Sequence, residues 1–283
     1  MKYFFFIAFL WLYGLSAFSQ KVEYSKSDSV SVERILSEAK TERKEQNRML
    51  YFGKKFIGVP YVAHTLENGN SEHLIVNLRE LDCTTFVENV LALALCDIEN
   101  KRTFSDFCNN LRKVRYFGGR IDDYSSRLHY FTWWAEDNIQ NGIIREISAD
   151  DFPFTAVQKV SINYMSAHPE LYKHLKGKPD MIQKIKQKEL RTSGKTYRYI
   201  PKSLLNESAD RIGIVHTGDI VAIITSKSGL DTSHIGIAVW QDGKLHLLNA
   251  SSIYKKVVLD KSTFYQYSQR QKSQLGIRVF RLK

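Results

Sequence analysis

The chain has 283 residues, of which 43% are hydrophobic and 12% aromatic, so it can bury one sizeable core and is not a disordered chain. Its net charge is +11, but the basic residues are dispersed. The densest basic run, residues 176–198, lies in a predicted helix and its following loop, and we interpret it as a solvated charged face. We therefore expect no nucleic-acid partner.

The first 19 residues have the pattern of a signal peptide. Lys2 supplies a positive charge, residues 3–15 are apolar, and small residues precede a cleavage site before Gln20. The apolar run is short for a membrane span, so a retained anchor is the less favoured alternative. We predict export to the periplasm without a stable membrane anchor, and a single domain over residues 20–283.

Three cysteines, Cys83, Cys96 and Cys108, would remain after cleavage. An odd number leaves at least one free thiol in an oxidising compartment. Cys96 and Cys108 either pair with each other or are two buried thiols, and we favour the second interpretation. The chain lacks the Cys-x-x-Cys and His-x-x-x-His spacings of zinc sites, and we expect no metal or cofactor.

The first half of the chain is predicted to be largely helical. Apolar residues recur at helical spacing in 30–58, where Gly58 and Pro60 end the pattern. An alternating strand is predicted at 73–78. Further helices are predicted to start at Cys83, at 103–112 with Thr103 or Ser105 as cap, and at 125–139.

The second half changes character. Residues 154–210 are polar and lysine-rich, and we interpret them as a mostly helical or irregular insertion that could cover one side of a cleft. Short strands follow, and Asp242-Gly243 predicts a tight hairpin between two of them. The predicted strands are 219–225, 235–240, 244–250 and 277–282. Helices followed by an antiparallel sheet predict an α+β fold.

Cys83 is the candidate nucleophile. It opens a segment whose apolar residues have helical spacing, so its sulfur would lie near unpaired backbone N–H groups and the positive end of the helix dipole. This placement predicts a lowered thiol pKa. A helix-start cysteine followed far downstream by a strand histidine is the chain order of papain-like cysteine hydrolases.

His234 is the preferred base among the eight histidines. It opens a predicted strand, and the small Ser233 and Gly236 leave space beside it. In a hairpin around Asp242-Gly243, His234 and Asn249 would lie at matching ends of two strands, so the Asn249 carbonyl oxygen could orient the imidazole. The alternative is that Asn249 caps a turn with Ser251.

The segments LDCTTFVE (81–88) and SHIGIAV (233–239) resemble the NlpC/P60 superfamily of papain-like cell-wall hydrolases. Within it, the chain is similar to the DUF1460 family of N-acetylmuramoyl-L-alanine amidase-like proteins. The segments that carry this narrower resemblance extend in order over most of the chain: 56–67, 74–78, 82–88, 115–119, 126–130 and 234–249.

This resemblance implies a papain-like fold and hydrolysis of the amide between N-acetylmuramic acid and L-alanine, with a preference for small anhydro-type muropeptides. By position, Cys83 would be the nucleophile, His234 the base and Asn249 the third member. Tyr61 matches a tyrosine that the superfamily places beside the cysteine. It would polarise the scissile carbonyl, or simply pack as an aromatic residue.

Four further residues are candidates for binding substrate. Asp82 would bind a polar substrate group or cap the helix, and we favour capping. Arg127, His129 and Tyr130 would grip a sugar or a carboxylate, because arginine binds carboxylates in a two-pronged geometry. The alternative is that they form a helix surface with Tyr130 in the core.

Other functions are compatible with the same residues. A γ-D-glutamyl–diamino acid endopeptidase would use the same chemistry on another bond of a muropeptide or peptidoglycan fragment. A non-catalytic glycan-binding protein of the envelope would keep the fold with an inert cysteine, although an intact Cys83 and His234 argue against it. A thioester-forming lipid acyltransferase is a weaker option.

Overall fold

A computed structural model describes residues 21–41 and 47–283, and the predicted signal peptide at 1–19 lies outside these residues. The helices in the described part are α1 Lys26–Thr41, α2 Arg48–Lys54, α3 Cys83–Ile98, α4 Phe104–Arg115, α5 Phe131–Gln140, α6 Tyr164–Ala167, α7 Pro179–Thr192, α8 Ala209–Ile212 and α9 Phe264–Gln269. The strands are β1 Val22–Glu23, β2 Leu74–Ile75, β3 Ile144–Ile147, β4 Ala156–Lys159, β5 Thr196–Pro201, β6 Ile220–Thr225, β7 Thr232–Gln241, β8 Lys244–Ser251, β9 Lys256–Leu259 and β10 Gln274–Leu282. In this part of the chain, no helix is both long and apolar enough to cross a membrane.

Helix α3 is the centre of the molecule. Its apolar residues Val87, Val90 and Leu91 are fully buried, because α1, α2 and α4 pack on one side of it and the sheet on the other. This burial follows from an apolar sequence on nearly every face, which only a core helix can accommodate. The predicted start of this helix at Cys83 is confirmed.

Two predicted boundaries in the helical half differ from the structure. The single helix predicted over 30–58 is two helices, because Asn47 starts a new one by accepting a hydrogen bond from the Leu50 N–H, 3.1 Å away. The helix predicted from 125 starts at Phe131. Before it, Asp123 caps a separate single turn, and Arg127 is extended and pairs with Tyr116.

The main sheet has the strand order β4-β5-β10-β6-β7-β8-β9, with β3 also paired to β10, and all of these neighbours are antiparallel. The predicted strands after residue 213 and the hairpin are confirmed. Gln241 pairs with Lys244, and both Asp242 and Gly243 have the positive φ that a two-residue hairpin turn requires. The molecule is therefore α+β, as predicted.

The segment 154–210 is mostly helical or irregular, as predicted, but it also has two strands that were not predicted. It contains α6 and α7, but it also contains β4 and β5, which extend the main sheet beyond β10. The strand β5 alternates tyrosines with polar residues and is only half-buried, so its sequence lacks the apolar alternation that predicts a strand. Pairing with β10 supplies the long-range contact that makes it a strand.

Cys96 and Cys108 are both free and buried in the structure. Cys96 lies at the end of α3, where its sulfur accepts a hydrogen bond from the Asn110 side chain, 3.4 Å away. Burial raises the pKa of both thiols. The preferred interpretation, two buried thiols, is therefore confirmed.

Candidate active site

A cleft of about 340 Å³ lies at the start of α3. Its lining includes Cys83 from α3, His234 from β7, the segment 127–131 and two residues of the 154–210 segment, Met165 and Tyr172. Of the residues singled out from the sequence, six line this cleft: Asp82, Cys83, Arg127, His129, Tyr130 and His234. Tyr61 and Asn249 are not among the residues that line it.

Asp82 fixes the start of α3. Its side chain accepts a hydrogen bond from the Thr85 N–H at 2.8 Å, and the Thr85 hydroxyl accepts one from the Asp82 N–H at 2.9 Å. This reciprocal pair is a capping box, and it leaves Cys83 as the first residue of the helix. The preferred capping role of Asp82 is confirmed.

The sulfur of Cys83 is in a polar but crowded position. The backbone N–H groups of Thr84 and Ile235 donate toward it and favour the thiolate. Burial acts in the opposite direction and is the larger effect, and the Asp82 carboxylate adds to it, so the pKa of Cys83 is raised to about 12. The prediction of a lowered thiol pKa was therefore wrong, because desolvation and one carboxylate outweigh the helix N-terminus.

His234 and Asn249 are directly bonded. The distance from His234 Nε2 to the Asn249 side-chain oxygen is 2.9 Å, and Asn249 itself is fully buried. An amide oxygen can only accept, so Nε2 carries the proton and Nδ1 is the ring nitrogen available as a base. Burial lowers the pKa of His234 below 6.5, although the bond to Asn249 opposes this, so the ring is neutral at pH 7.

Gly236 makes the bond between His234 and Asn249 possible. Ile237 pairs with Leu248, and carrying this register one residue further places Gly236 opposite Asn249. A Cβ at position 236 would lie 3.1 Å from the Asn249 Cβ and 2.9 Å from the Leu248 carbonyl oxygen. Because Gly236 lacks that atom, Asn249 can reach across its neighbour toward His234.

The strand β7 also carries a bulge immediately before the histidine. Ile223 pairs with His234, whereas the next residue, Ile224, pairs with Thr232, so Ser233 is an extra residue on β7. Bulges increase local twist and redirect neighbouring side chains, and they are frequent beside active sites. This one lies where β7 meets the start of α3.

Two tyrosines lie close to Cys83 and His234. Tyr61 pairs with Leu81 beside the start of α3, and burial, with Cys83 and Asp82 nearby, raises its pKa to about 12. Tyr267 of α9 lies with its ring centre 6.4 Å from that of His234, and Cys83 also contributes to raising its pKa. The sequence analysis missed Tyr267. The capping box of Thr263 could have predicted α9, but not this contact.

Arg127 lies in the cleft wall within a cluster of acidic and aromatic side chains. Its guanidinium nitrogens are 3.0 Å from a Glu67 carboxylate oxygen and 3.1 Å from a Glu72 carboxylate oxygen. It also lies over the Tyr124 ring, 4.9 Å from its centre. Two glutamates already compensate its charge, and the sequence analysis identified neither of them.

His129 and Tyr130 follow Arg127 along the same wall. His129 Nε2 donates to the Tyr124 carbonyl oxygen at 2.7 Å, and burial together with the Arg127 charge lowers its pKa well below 6.5. The Tyr130 hydroxyl is bonded on its buried side to Glu189 and to the Met165 N–H. Both residues line the cleft, and their roles in binding substrate remain predictions.

The carboxylates that line the cleft all accept hydrogen bonds from the protein. Glu67 binds Arg127, Glu88 binds Arg115 at 2.7 Å, Asp82 caps α3, and Asp231 accepts from the Thr132 N–H at 2.6 Å. Burial raises the pKa of Glu88, although the Arg115 guanidinium opposes this. Among the described residues, no group of three histidine, cysteine, aspartate or glutamate side chains is placed to hold a metal ion.

The fold and the cleft together define an α+β protein with a cysteine at the start of its central helix and a His–Asn pair beside it. A family model described as N-acetylmuramoyl-L-alanine amidase-like (AmiA-like) matches residues 51–277. The chain therefore belongs to the N-acetylmuramoyl-L-alanine amidase-like family, and the amidase-like part of the sequence-based resemblance is confirmed.

Solved structures agree with this family. An N-acetylmuramoyl-L-alanine amidase from Bacteroides uniformis is 44% identical with a TM-score of 0.78, and the match covers 83% of this chain and 97% of that one. A Bacteroides fragilis protein whose name assigns it provisionally to the xylanases is also 44% identical, with a TM-score of 0.77 and coverages of 82% and 100%. A DUF1460 protein of Legionella pneumophila, 21% identical with a TM-score of 0.67 over 90% and 94% of the two chains, shares the fold. No curated protein matches the chain.

Proposed function

We propose that this protein is a cysteine amidase that hydrolyses the amide between N-acetylmuramic acid and L-alanine in muropeptides, including anhydro-type ones, during cell-wall turnover or recycling. The proposal includes a papain-like fold of the NlpC/P60 type, and export to the periplasm. One observation carries it: Cys83 opens a buried helix in the same cleft as His234, whose Nε2 is bonded to Asn249.

The proposed cycle starts from a neutral thiol and a neutral imidazole, because the pKa of Cys83 is raised and that of His234 is lowered. Nδ1 of His234 takes the thiol proton as the sulfur attacks the lactyl carbonyl carbon. The Cys83 backbone N–H, which has no partner within the helix, donates to the oxyanion, and in this proposal the Tyr61 hydroxyl assists it. His234 then protonates the leaving alanine nitrogen, and water hydrolyses the thioester, which restores the thiol.

The remaining cleft residues would bind the muropeptide. Arg127 forms one wall with its two glutamates, and His129 and Tyr130 continue it. Because the charge of Arg127 is compensated, we propose that this wall binds neutral polar groups, such as hydroxyl and amide groups, in preference to a carboxylate. Asp82 lines the cleft beside Cys83 and would contact the leaving peptide in addition to capping α3.

The name of the Bacteroides fragilis relative raises glycoside hydrolysis as an alternative. That chemistry usually needs two carboxyl groups that flank the scissile bond, one as acid and one as base or nucleophile. Here the carboxylates that line the cleft are bonded to an arginine or to backbone N–H groups, whereas the cysteine and histidine are not explained by such a reaction. The site therefore favours amide hydrolysis.

Mass spectrometry of a defined muropeptide tests the proposal. We expect the purified protein to convert an anhydro-N-acetylmuramoyl tetrapeptide into the free sugar acid and a tetrapeptide that begins with L-alanine. A cut after D-glutamate would identify an endopeptidase instead, and an intact substrate that nevertheless binds would favour the non-catalytic alternative. The Cys83→Ala variant is the control for contaminating activity.

A further inference from the structure

One wall of the cleft comes from a segment that is remote from the catalytic residues in sequence. This wall segment, residues 164–172, comprises α6 and the turn that follows it, and it contributes Met165 and Tyr172 to the lining. The helix α6 has only four residues, so its own hydrogen bonds cannot hold it in place. Its position must depend on contacts with the rest of the protein.

A buried carboxylate is central to two of those contacts, one direct and one through Tyr130. Glu189 of α7 accepts a hydrogen bond from the Tyr130 hydroxyl at 2.7 Å and one from the Ser166 N–H at 3.2 Å. The Tyr130 hydroxyl in turn accepts from the Met165 N–H at 2.9 Å. Two consecutive N–H groups of the wall segment are therefore bonded to one Tyr130–Glu189 pair.

Glu189 is buried and has few other polar partners among the described residues. The residue is 1% exposed, and no salt bridge to it occurs among the described residues. Its second carboxylate oxygen is buried without a hydrogen-bond partner. A carboxylate in such a place is costly unless other bonds compensate, and those available come from Tyr130 and Ser166.

A neighbouring bond holds α7 to α5 without involving the wall segment. The Trp133 indole N–H donates to the Thr192 hydroxyl oxygen at 2.7 Å, and both residues are buried. Thr192 lies three residues after Glu189 on the same helix face. Loss of the Glu189 bonds would therefore loosen Met165 and Ser166, while α7 stays attached and the Tyr164 N–H stays bonded to the Gly229 carbonyl oxygen.

We propose that Glu189 is a positioning residue that holds the wall segment against Tyr130 and so fixes the width of the cleft opposite Cys83. It does not touch substrate and acts through Tyr130, Met165 and Ser166. The identification of the bound molecule as a muropeptide rests on the proposed function. The position of the wall segment does not depend on that function.

Hydrogen exchange of the full-length protein tests the fixed wall directly. In Glu189→Ala, the amides of Met165 and Ser166 should exchange at least about tenfold faster than in the wild type. Ser166 loses its carboxylate acceptor, and the Tyr130 hydroxyl that accepts from Met165 is no longer held by Glu189. Thr192→Val removes the neighbouring bond at nearly equal volume and should leave these two amides unchanged. Unchanged exchange in Glu189→Ala, or equal acceleration in Thr192→Val, would overturn the proposal.

Kinetics on the muropeptide test the consequence for binding. Glu189→Ala should raise KM about tenfold with little change in kcat, and the rate of Cys83 alkylation by iodoacetamide should stay the same. Glu189→Gln keeps an oxygen acceptor and should recover most of the affinity. An equal loss of kcat and of the alkylation rate would mean general loosening and would contradict a positioning role.

Two controls keep these outcomes separate. If Glu189→Ala does not fold, Tyr130→Phe removes the same bond without leaving a cavity, and it should accelerate exchange at Met165. Where Glu189→Ala folds, the effects on KM in the double variant Tyr130→Phe/Glu189→Ala should be less than additive, since both residues act through one bond. A wild type that leaves the muropeptide intact would reject the proposed function but would not alter the exchange result.

Discussion

The floor and the wall of the cleft are built in different ways. The floor, Cys83, His234 and Asn249, rests on a helix cap and a two-residue hairpin, which are features of local sequence. The wall contains Arg127 and Tyr130. These two residues are held by hydrogen bonds to Glu67, Glu72 and Glu189, which lie 55 to 60 residues away in the chain. The comparison suggests that the floor sets the chemistry and the wall sets which molecule is held. Changes in the floor should therefore lower kcat, whereas changes in the wall should raise KM.

The largest expected effect comes from removal of the nucleophile. Cys83→Ala should lower kcat by at least about 1,000-fold, because no other group in the cleft can form the thioester. The fold should survive, since alanine is a good helix former at this partly exposed position. Product release from the muropeptide measures the rate, and thermal unfolding measures the fold. Substantial activity in this variant would show that Cys83 is not the nucleophile.

The second largest expected effect is the pH dependence of the rate of Cys83 alkylation. With the thiol pKa raised to about 12, the thiolate fraction should increase about tenfold per pH unit, so iodoacetamide should react about 1,000-fold faster at pH 9 than at pH 6. Hydrolysis needs neutral His234, whose pKa lies below 6.5, so kcat/KM should fall only on the acid side of that value. A plateau in alkylation near neutral pH would instead show a stable thiolate–imidazolium pair.

Loss of the orienting amide should have a smaller effect. Asn249→Ala should lower kcat by on the order of 100-fold, because the His234 ring is no longer held with Nδ1 as the base. Asn249→Gln tests whether an oxygen acceptor alone is sufficient. An unchanged kcat in Asn249→Ala would mean that the bond to His234 is structural, and that the predicted third member is wrong.

The smallest effect in the floor is expected at Gly236. Gly236→Ala places a methyl group against Asn249 and the Leu248 carbonyl, so it should displace Asn249 and lower kcat about tenfold. The free energy of unfolding should fall by about 1–3 kcal/mol, as for other overpacked sites. In the double variant with Asn249→Ala, the added methyl group should cost no further activity. Full additivity would show that Gly236 acts independently of Asn249.

The site was predictable from the sequence where its parts are local. The apolar spacing after Cys83 predicted a core helix, and Asp242-Gly243 predicted the hairpin that brings Asn249 near His234. The thiol pKa was not predictable in this way. The helix start lowers it, but the burial that raises it depends on the residues packed around the sulfur.

For the wall, the sequence predicted some of the residues that line the cleft but not the residues that hold them in place. Arg127 and Tyr130 were identified as polar groups near the cleft, but their partners Glu67, Glu72 and Glu189 lie in segments with no pattern of their own. In the same way, β5 was missed because it is a strand through its pairing with β10. Pairing and burial are properties of the folded chain and leave little trace in local sequence.

The sequence by itself determined the α+β class, the helix that starts at Cys83 and the hairpin that carries His234 and Asn249. These follow from periodicity, caps and turn residues, which act over a few positions. Only the tertiary structure decided the protonation of the thiol, the compensation of Arg127 and the wall held by Glu189. Each of these depends on electrostatic and packing contacts between residues that the chain brings together only when it folds.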